Sequence, residues 1–412
     1  MHSKIILLAF VLFTSLMFNG TAPNDSVKNT SILPNERMQD TASNSFMAEN
    51  TWSRTFGKIL WHDAGYSIRK LDDGFIIGGL TSNYKSSFGW LTKINEKGKM
   101  TWNRVYYDLY YIMDVEVTEN GYLLAGITED MNIGVIKTNG DGDTEWMKIF
   151  GGVENDGVAN DHCVQKTDGG YIIAGYTHSF GAGNNDAWLI KIDENGNEVW
   201  NRTYGGKEND MFYSVATSTD GGYVAAGVSY SCGGNAWVVK VDKYGNIIWN
   251  RTYGKQFTDE IFCIKRCKEG YIMVGTRFIK EEKYYDLLVI KIDENGEEIW
   301  NRTYGENILY EYGKCIDSTE DGYIICGLKE KDVQDFDLWL IKIDENGNEV
   351  WNRTYGREGF DSGNSVLAIP SGYVVVGRLT EFPWKLFIRS DVWIIKTNSE
   401  GKIEGGRILR NI

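Results

Sequence analysis

The chain has 412 residues, of which 43 are Lys or Arg and 57 are Asp or Glu, so its formal net charge is −14. An acidic balance of this size argues against a nucleic-acid partner and against binding to anionic membrane surfaces. Proline is scarce, at 4 residues, so backbone pairing between strands can run without interruption.

The first 22 residues have the pattern of a secretory signal peptide. His2 and Lys4 precede an apolar run of fourteen residues, and a small-residue segment allows cleavage after Ala22. The run is shorter than the roughly 20 residues of a spanning helix, although an uncleaved membrane anchor remains the alternative. Residues 23–50, rich in Asn, Ser and Thr, predict a flexible linker. We therefore expect a secreted or cell-surface protein whose mature chain does not span a membrane.

From residue 51 onward, one pattern recurs about every fifty residues. KIDENGNEVWNRTYG occupies 191–205 and returns unchanged at 342–356. Closer and more distant copies make seven in all, and they begin at Lys93, Lys137, Lys191, Lys240, Lys291, Lys342 and Lys396. A repeat of this period indicates a modular architecture in which each unit completes its core against its neighbours.

Each unit also carries a second pattern, of which TDGGYIIAGYT at 167–177 is an example. Short runs of Val, Ile, Tyr and Trp bounded by Asp-Gly or Asn-Gly are typical of strands joined by tight turns. In the third unit we predict strands at 163–166, 170–177, 187–193 and 198–204. Four short strands in each of seven units predict an all-β fold over 51–412, a seven-bladed β-propeller of four-stranded antiparallel blades.

The fourth strand of six units contains a tryptophan, which we expect to wedge between neighbouring blades; a sugar-stacking platform is the alternative. These residues are Trp102, Trp146, Trp200, Trp249, Trp300 and Trp351. The last unit has Gly405 instead, while an additional copy of the fourth-strand pattern, at 51–57, precedes the first blade. The N-terminal strand near Trp52 is therefore predicted to complete the last blade and close the ring, which removes exposed sheet edges.

Strand order predicts which loops share a face of the propeller. Turns between strands 1 and 2 and between strands 3 and 4 are short and uniform, whereas the loops on the opposite face are long and variable. Binding residues usually lie on such loops. The candidate ligand-binding residues are Trp384 above all, then Phe382, Tyr284, Tyr285, Tyr230 and Phe180. The alternative is that each of these rings packs only its own loop.

Four aspartates follow the WNRTYG pattern or its variants at a constant distance and are expected near the mouth of the channel: Asp156, Asp210, Asp259 and Asp361. A ring of carboxylates could hold a structural Ca²⁺. The same side chains could instead cap turns by accepting hydrogen bonds from backbone amides. No catalytic metal and no other cofactor is predicted.

Cys315 and Cys326 are expected to face each other across the first hairpin of the sixth unit. They could form a disulfide if the pair is of the closer, non-hydrogen-bonded kind. The alternative is that both are small buried residues, since Ser67 and Ser365 occupy the position of Cys315 in other units. Asn-X-Thr or Asn-X-Ser sequons predict a glycoprotein, among them those at Asn29, Asn201, Asn250, Asn301 and Asn352.

The pattern Lys-Ile-Asp-x-x-Gly-x-x-x-Trp resembles the repeat of secreted archaeal and bacterial β-propeller proteins. More distantly, it is similar to the tryptophan-docking repeat of pyrroloquinoline-quinone dehydrogenases. The resemblance covers residues 51–412 and implies the propeller fold. Those dehydrogenases typically have eight blades and many carry adjacent cysteines, whereas this sequence has seven repeats and no such pair. No cofactor-binding residue can therefore be transferred. The Gly-His and Trp-Asp signatures of WD40 repeats are absent.

These features predict an exported, monomeric binding module for an extracellular protein or glycan, with its ligand on the variable face. No sequence motif indicates catalysis. The alternative is an enzyme on the same scaffold, either a polysaccharide hydrolase or a quinoprotein-like oxidoreductase.

Overall fold

A computed structural model describes residues 51–57, 62–83, 85–254, 258–279, 284–305, 309–332, 335–381 and 389–403. The predicted signal peptide (1–22), the predicted linker (23–50), Phe382 and Trp384 lie outside the described residues. In the described ranges the chain forms strands and turns without a helix. Accordingly, those ranges contain no helical segment able to cross a bilayer.

The strands follow the repeat units of the sequence, which we number 1 to 7 in chain order. Strand β1 (Trp52–Phe56) precedes unit 1, which comprises β2 (His62–Leu71), β3 (Gly74–Ser82), β4 (Ser87–Asn95) and β5 (Met100–Tyr106). Unit 2 comprises β6 (Tyr111–Thr118), β7 (Gly121–Ile127), β8 (Ile133–Asn139) and β9 (Thr144–Phe150). Unit 3 comprises β10 (Asp156–Gly157), β11 (Val164–Thr167), β12 (Gly170–Thr177), β13 (Asp186–Ile192) and β14 (Glu198–Tyr204).

The remaining units follow the same plan. Unit 4 comprises β15 (Asp210–Thr217), β16 (Tyr223–Ser229), β17 (Asn235–Val241) and β18 (Ile247–Tyr253). Unit 5 comprises β19 (Glu260–Cys267), β20 (Gly270–Ile279), β21 (Tyr284–Ile292) and β22 (Glu298–Tyr304). Unit 6 comprises β23 (Glu311–Thr319), β24 (Gly322–Asp332), β25 (Asp335–Asp344) and β26 (Glu349–Tyr355). Unit 7 comprises β27 (Ser362–Ile369), β28 (Gly372–Glu381) and β29 (Arg389–Thr397).

Units 2, 4, 5 and 6 are four-stranded antiparallel sheets, and in unit 3 the first strand is split into β10 and β11. This confirms the prediction of an all-β fold built from four-stranded antiparallel sheets. β1 pairs with β29, with Trp52 opposite Lys396, which is the register of Trp200 opposite Lys191. A single parallel pair, His62 with Ser390, joins this strand set to unit 1, so both belong to one eight-stranded sheet.

The repeated Asp-Glu-Asn-Gly segments form the turns between the third and fourth strands. In unit 3, one carboxylate oxygen of Asp193 accepts hydrogen bonds from the backbone N–H groups of Asn195 and Asn197, at 2.9 and 2.8 Å. Gly196 has φ +77°, a left-handed conformation that glycine adopts without strain. The sequence therefore repeats Asp and Gly here because the turn needs both.

The tryptophan of each fourth strand packs on this turn in the following unit. A Cβ atom on Gly196 would lie 2.6 Å from the ring of Trp146, and one on each of the other turn glycines would lie 2.7–3.0 Å from a tryptophan ring. The contacts pair Trp102 with Gly142, Trp146 with Gly196, Trp200 with Gly245, Trp249 with Gly296, Trp300 with Gly347, Trp351 with Gly401 and Trp52 with Gly98. The six predicted tryptophans therefore contact the neighbouring unit, and Trp52 of β1 does the same to unit 1.

These tryptophan rings are less buried than expected for side chains wedged between two sheets. Of the seven, only Trp52 and Trp200 are buried, and the others are half-buried. The third strand carries a second tryptophan set that is more deeply buried, at Trp90, Trp188, Trp237, Trp339 and Trp393. The hydrophobic core thus runs through the third strands, and the fourth-strand tryptophans cover its outer edge.

The first strands contact one another from unit to unit. β2 contacts β6, and the series continues through β11, β15, β19 and β23 to β27, which contacts β2. A hydrogen bond from the Asn364 side chain to the Gly65 carbonyl, 2.8 Å long, links β27 to β2. The first strands consequently meet around a common centre.

We predict that a methyl group on a turn glycine destabilises the fold through the tryptophan contact. Gly296 and Gly221 have φ +80° and +81°, but only at Gly296 would a Cβ meet a ring, that of Trp249 at 3.0 Å. Both Gly→Ala substitutions cost about 1–2 kcal/mol for the backbone conformation. Gly296→Ala should lose roughly 1–3 kcal/mol more through overpacking. Equal denaturant midpoints for the two variants would contradict the contact.

Candidate functional site

A β-bulge recurs in the first strand of six units and sets the side chains that face the centre. A bulge re-aims the residue that follows it. That position, which we call the inner row, holds Ser67, Asp114, Ser214, Cys263, Cys315 and Ser365, and Cys163 holds it in unit 3. All seven side chains are fully buried. Apart from Asp114 these side chains are small, which suits the contacts between neighbouring first strands.

Unit 3 departs from this plan, because residues 158–163 replace the middle of its first strand. This segment carries Asp161 and His162 into the centre, and His162 has φ +63°. A left-handed histidine costs on the order of 1–3 kcal/mol and persists only where its surroundings hold it. The carbonyl of His162 accepts hydrogen bonds from Val215 N–H at 3.0 Å and from the Ser214 hydroxyl at 3.1 Å.

Arg69 of β2 is the cation at this centre. Its guanidinium donates to Asp114 at 2.6 Å and to Asp161 at 3.2 Å, and a third carboxylate, Glu116, lies 3.7 Å away. Nη2 also lies 2.9 Å from Nδ1 of His162. One largely buried arginine thus joins units 1, 2 and 3 and pairs with both buried aspartates.

The charges at the centre shift each other's ionisation. Burial alone would lower the pKa of Arg69, but Asp114, Asp161 and Glu116 raise it above its ordinary value. Burial alone would raise the pKa of Asp161, but His162 and Arg69 lower it. The Asp114 carboxyl, in contrast, has a pKa raised by burial that Arg69 only partly offsets. The site therefore favours an ionised Asp161 paired with Arg69.

Cys315 of unit 6 reaches the same centre from the opposite side. Its Sγ lies 3.5 Å from Nε2 of His162 and 4.0 Å from a carboxylate oxygen of Asp161. Burial alone would raise the pKa of the Cys315 thiol, but hydrogen bonds from Cys263 and Cys326 hold it well below its ordinary value. The centre thus combines an imidazole with a cluster of thiols, which sequence reasoning did not identify.

A cysteine beside a histidine suggests a nucleophile and its base, but the geometry does not support this. In such a pair a third group orients the base through its other ring nitrogen. Here Asp161 lies 3.5 Å from Nε2, the nitrogen that also faces Cys315, while Nδ1 faces Arg69. Cys315 is also fully buried. The arrangement suits binding of a small species better than attack on a substrate.

The predicted disulfide pair lies where the register placed it, with Cys315 directly opposite Cys326. Both cysteines are free thiols in the structure. The equivalent pair in unit 3, Cys163 and Ala174, is hydrogen-bonded through its backbone at 2.8 Å, and pairs of this kind are the wider of the two. The disulfide remains a prediction, without support from this geometry.

The four aspartates of the predicted cation site are buried separately. Asp156 accepts from Gly152 N–H at 2.7 Å, Asp210 from Gly206 N–H at 2.7 Å and Asp361 from Arg357 N–H at 2.6 Å. Asp259 accepts from the Arg277 side chain at 3.0 Å. Three of the four therefore have the contacts of turn caps. The Ca²⁺ site remains a prediction that these hydrogen bonds do not favour.

The described aromatic candidates do not form one group. Phe180 packs on Trp188 of unit 3, with ring centroids 5.7 Å apart. Tyr284 and Tyr285 lie at the start of β21, where both contact Tyr310, at centroid distances of 5.0 and 6.2 Å. The Tyr230 hydroxyl is 3.5 Å from Glu260 of unit 5. Three of the predicted rings thus come together between units 4, 5 and 6, and Phe180 stands apart.

These rings belong to a larger group, the tyrosine cluster, which comprises Tyr213, Tyr230, Phe262, Tyr284, Tyr285, Tyr310 and Tyr312. Tyr213, Phe262 and Tyr312 are buried, whereas Tyr284, Tyr285 and Tyr310 are half-buried. Beneath them, Lys314 lies 4.5 Å from the centre of the Phe262 ring. Burial lowers the pKa of Lys314 to about 8, against the opposing charge of Glu260. The cluster is therefore a partly exposed aromatic surface beside two half-buried side chains of opposite charge, Lys314 and Glu260.

We predict that loss of Arg69 destabilises the protein far more than loss of a surface arginine. Arg69→Met leaves Asp114 and Asp161 buried without their counter-charge, at a cost of about 3–5 kcal/mol. Arg251→Met, which removes an exposed pair with Glu297, should change stability by less than about 0.5 kcal/mol. Urea unfolding of both variants measures the difference. Similar midpoints would show that the central network contributes little.

Comparisons with known proteins identify the architecture. No protein-family model matches the sequence, and no curated protein matches it either. The WD40 β-propeller domain of Doa1 is similar in structure, with a TM-score of 0.50 and 13% identity over 82% of this chain and 93% of that chain. Two structures of Sqt1 from Chaetomium thermophilum also match. One has a TM-score of 0.46 and 13% identity over 77% of this chain and 81% of that one.

The second, bound to the N-terminus of the ribosomal protein L10, has a TM-score of 0.47 and 12% identity over 77% of this chain and 83% of that one. At these sequence identities the likeness shows the fold alone. The sequence lacks the Gly-His and Trp-Asp signatures of WD40 repeats. The chain is a β-propeller repeat protein.

Proposed function

We propose that residues 51–412 form a closed seven-bladed propeller that binds a protein partner through the tyrosine cluster. Three observations support closure: the pairing of β1 with β29, the contact of Trp52 with Gly98, and the contact of β27 with β2. The Trp52 indole also donates to the Glu96 carbonyl at 3.0 Å, as Trp200 does to Lys243 in the next unit. β1 thus makes the contacts of a fourth strand.

The binding assignment depends on one observation, the half-buried Tyr284, Tyr285 and Tyr310 at the end of the sheets where the variable loops lie. Rings held rigidly by their neighbours lose little conformational entropy when a partner covers them. Tyrosine is also enriched among the residues that dominate binding energy in protein interfaces. The tyrosine cluster therefore has the composition and the partial exposure of an interface centre.

A protein partner fits this cluster better than a glycan. Sugars stack on open faces of aromatic rings, but Tyr285 is stacked on Tyr312 at 5.5 Å and also on Tyr310. Tyr284 meets Tyr310 edge to face. The cluster presents ring edges and hydroxyl groups. These suit the apolar side chains and the hydrogen-bonding groups of a polypeptide.

We also propose that this binding takes place outside the cell, with the mature protein secreted or held at the cell surface. The support is the signal-peptide pattern of residues 1–22. Glycosylation at the NRT sequons is part of the same proposal, and Asn250 and Asn352 are exposed on fourth strands.

The proposed interface can be tested by alanine substitution on the two faces of the propeller. Tyr284→Ala and Tyr310→Ala should each weaken capture of the native partner at least about tenfold, as expected for interface hot spots. Tyr244→Ala is the matched control, because Tyr244 is exposed in a turn between third and fourth strands, on the opposite face. Capture from the native extracellular medium, quantified by mass spectrometry, measures the effect.

Equal capture by all three variants would contradict the assignment of this face. A glycan array on the same proteins separates the two ligand classes. Glycan binding that is lost in Tyr310→Ala would show that the ligand of the tyrosine cluster is a carbohydrate rather than a protein.

A further inference from the structure

We propose that His162, Cys263 and Cys315 form a binding site for a thiophilic divalent metal ion, Zn²⁺, with Asp161 as the fourth ligand. The site lies at the buried centre where the first strands meet, and it is independent of the binding function proposed for the tyrosine cluster. It would tie unit 3 to units 5 and 6, which the backbone does not connect directly.

Three of the four ligand atoms, those of His162, Cys315 and Asp161, lie at nearly the spacing of a tetrahedral zinc site. The potential ligand atoms of His162, Cys263 and Cys315 all lie within 4.8 Å of one another. Nε2 of His162 is 3.5 Å from Cys315 Sγ and 3.5 Å from Asp161 Oδ2, and the last two are 4.0 Å apart. Zn–N and Zn–O bonds of about 2.0–2.1 Å and Zn–S bonds of about 2.3 Å require ligand-to-ligand separations of roughly 3.4–3.8 Å. Small side-chain adjustments therefore suffice for coordination.

Metal binding requires the other tautomer of the imidazole. Arg69 lies on the far side of the ring, 2.9 Å from Nδ1, while Nε2 faces Cys315. Because a guanidinium can only donate, Nδ1 accepts from Arg69 in the metal-free protein, and Nε2 carries the ring proton. A metal ion binds the lone pair of Nε2, so the ring proton would move to Nδ1, and the Arg69 guanidinium would turn away from the ring to Asp114 and Glu116, which it already contacts. The two thiol protons would be released to solvent.

The donor atoms select the kind of metal. Two thiolates and an imidazole favour zinc or monovalent copper over calcium and magnesium, which bind oxygen. The Asp161 carboxylate, 3.5 Å from Nε2 of His162, adds a further ligand and so favours Zn²⁺ over a two-coordinate copper site. The second acidic group, Asp114, is engaged by Arg69, Ser67 and backbone amides, so it is not needed as a ligand.

The inner row supplies substitutions that the fold tolerates. Serine occupies the equivalent position in units 1, 4 and 7, as Ser67, Ser214 and Ser365, and all three are fully buried. Cys263→Ser and Cys315→Ser therefore remove a thiolate and leave a side chain that the same position accepts elsewhere. Cys163→Ser is the matched control, since Cys163 is equally buried in the inner row but is not among the clustered ligands.

The test is a Co²⁺ titration of the reduced, metal-free full chain, followed by Zn²⁺ competition. We expect a near-ultraviolet thiolate-to-cobalt charge-transfer band that saturates at one Co²⁺ per chain and disappears when one equivalent of Zn²⁺ is added. Cys263→Ser and Cys315→Ser should abolish the band, and Cys163→Ser should keep it. Asp161→Asn should keep the thiolate band but weaken Co²⁺ binding by roughly 10–100-fold.

Three results would overturn the proposal. The first is absence of the band in wild-type protein that circular dichroism shows to be folded. The second is persistence of the band in Cys315→Ser. The third is metal-free protein, isolated from its native source, in which mass spectrometry finds Cys315 joined by a disulfide to Cys263 or Cys326, because such protein would use the thiols as a covalent link.

Discussion

The contact between a tryptophan and the turn glycine of the next unit is the interaction on which the architecture depends. A single four-stranded sheet of this size cannot bury both faces, so every unit needs neighbours. The turn glycine supplies a surface without a side chain, as Gly245 does for Trp200, and the indole N–H finds a carbonyl in the same turn. A bulkier residue at the turn would separate the sheets. The sequence therefore repeats because each unit forms the same kind of interface with the next.

Much of the fold could be predicted because this interface uses local sequence signals. Asp-Glu-Asn-Gly specifies the turn, and the tryptophan follows it at a fixed distance, so strand order and register are readable in every unit. The extra copy near Trp52 pointed to its pairing with the last repeat, and β1 does pair with β29. The split first strand of unit 3 was not predicted, because residues 158–163 carry no turn pattern that marks the insertion of His162. The greater burial of third-strand tryptophans such as Trp188 was also missed, because period-two alternation does not distinguish an inner strand from an outer one.

The candidate sites could be predicted from the sequence less completely than the fold. Sequence reasoning placed Cys315 opposite Cys326, since this follows from hairpin register. It could not bring Cys315 to His162, which is 153 residues away in the chain, because that contact depends on how the units are arranged around the centre. No sequence pattern marked Arg69. An arginine on an inner strand close to buried aspartates can be recognised as part of a site only once the arrangement of the units is known. The tyrosine cluster was found in part, because loop length identified the face, and packing then selected which rings share it.

The central proposal is that the N-terminal strand completes the last sheet and so closes the ring. Hydrogen exchange of the β29 amides tests it most directly, in the full chain and in a variant that lacks residues 51–57. The account predicts slow exchange along both edges of β29 in the full chain, and rapid exchange at the amides facing β1 in the deletion variant. Rapid exchange of those amides in the full chain, or identical exchange in both proteins, would contradict it.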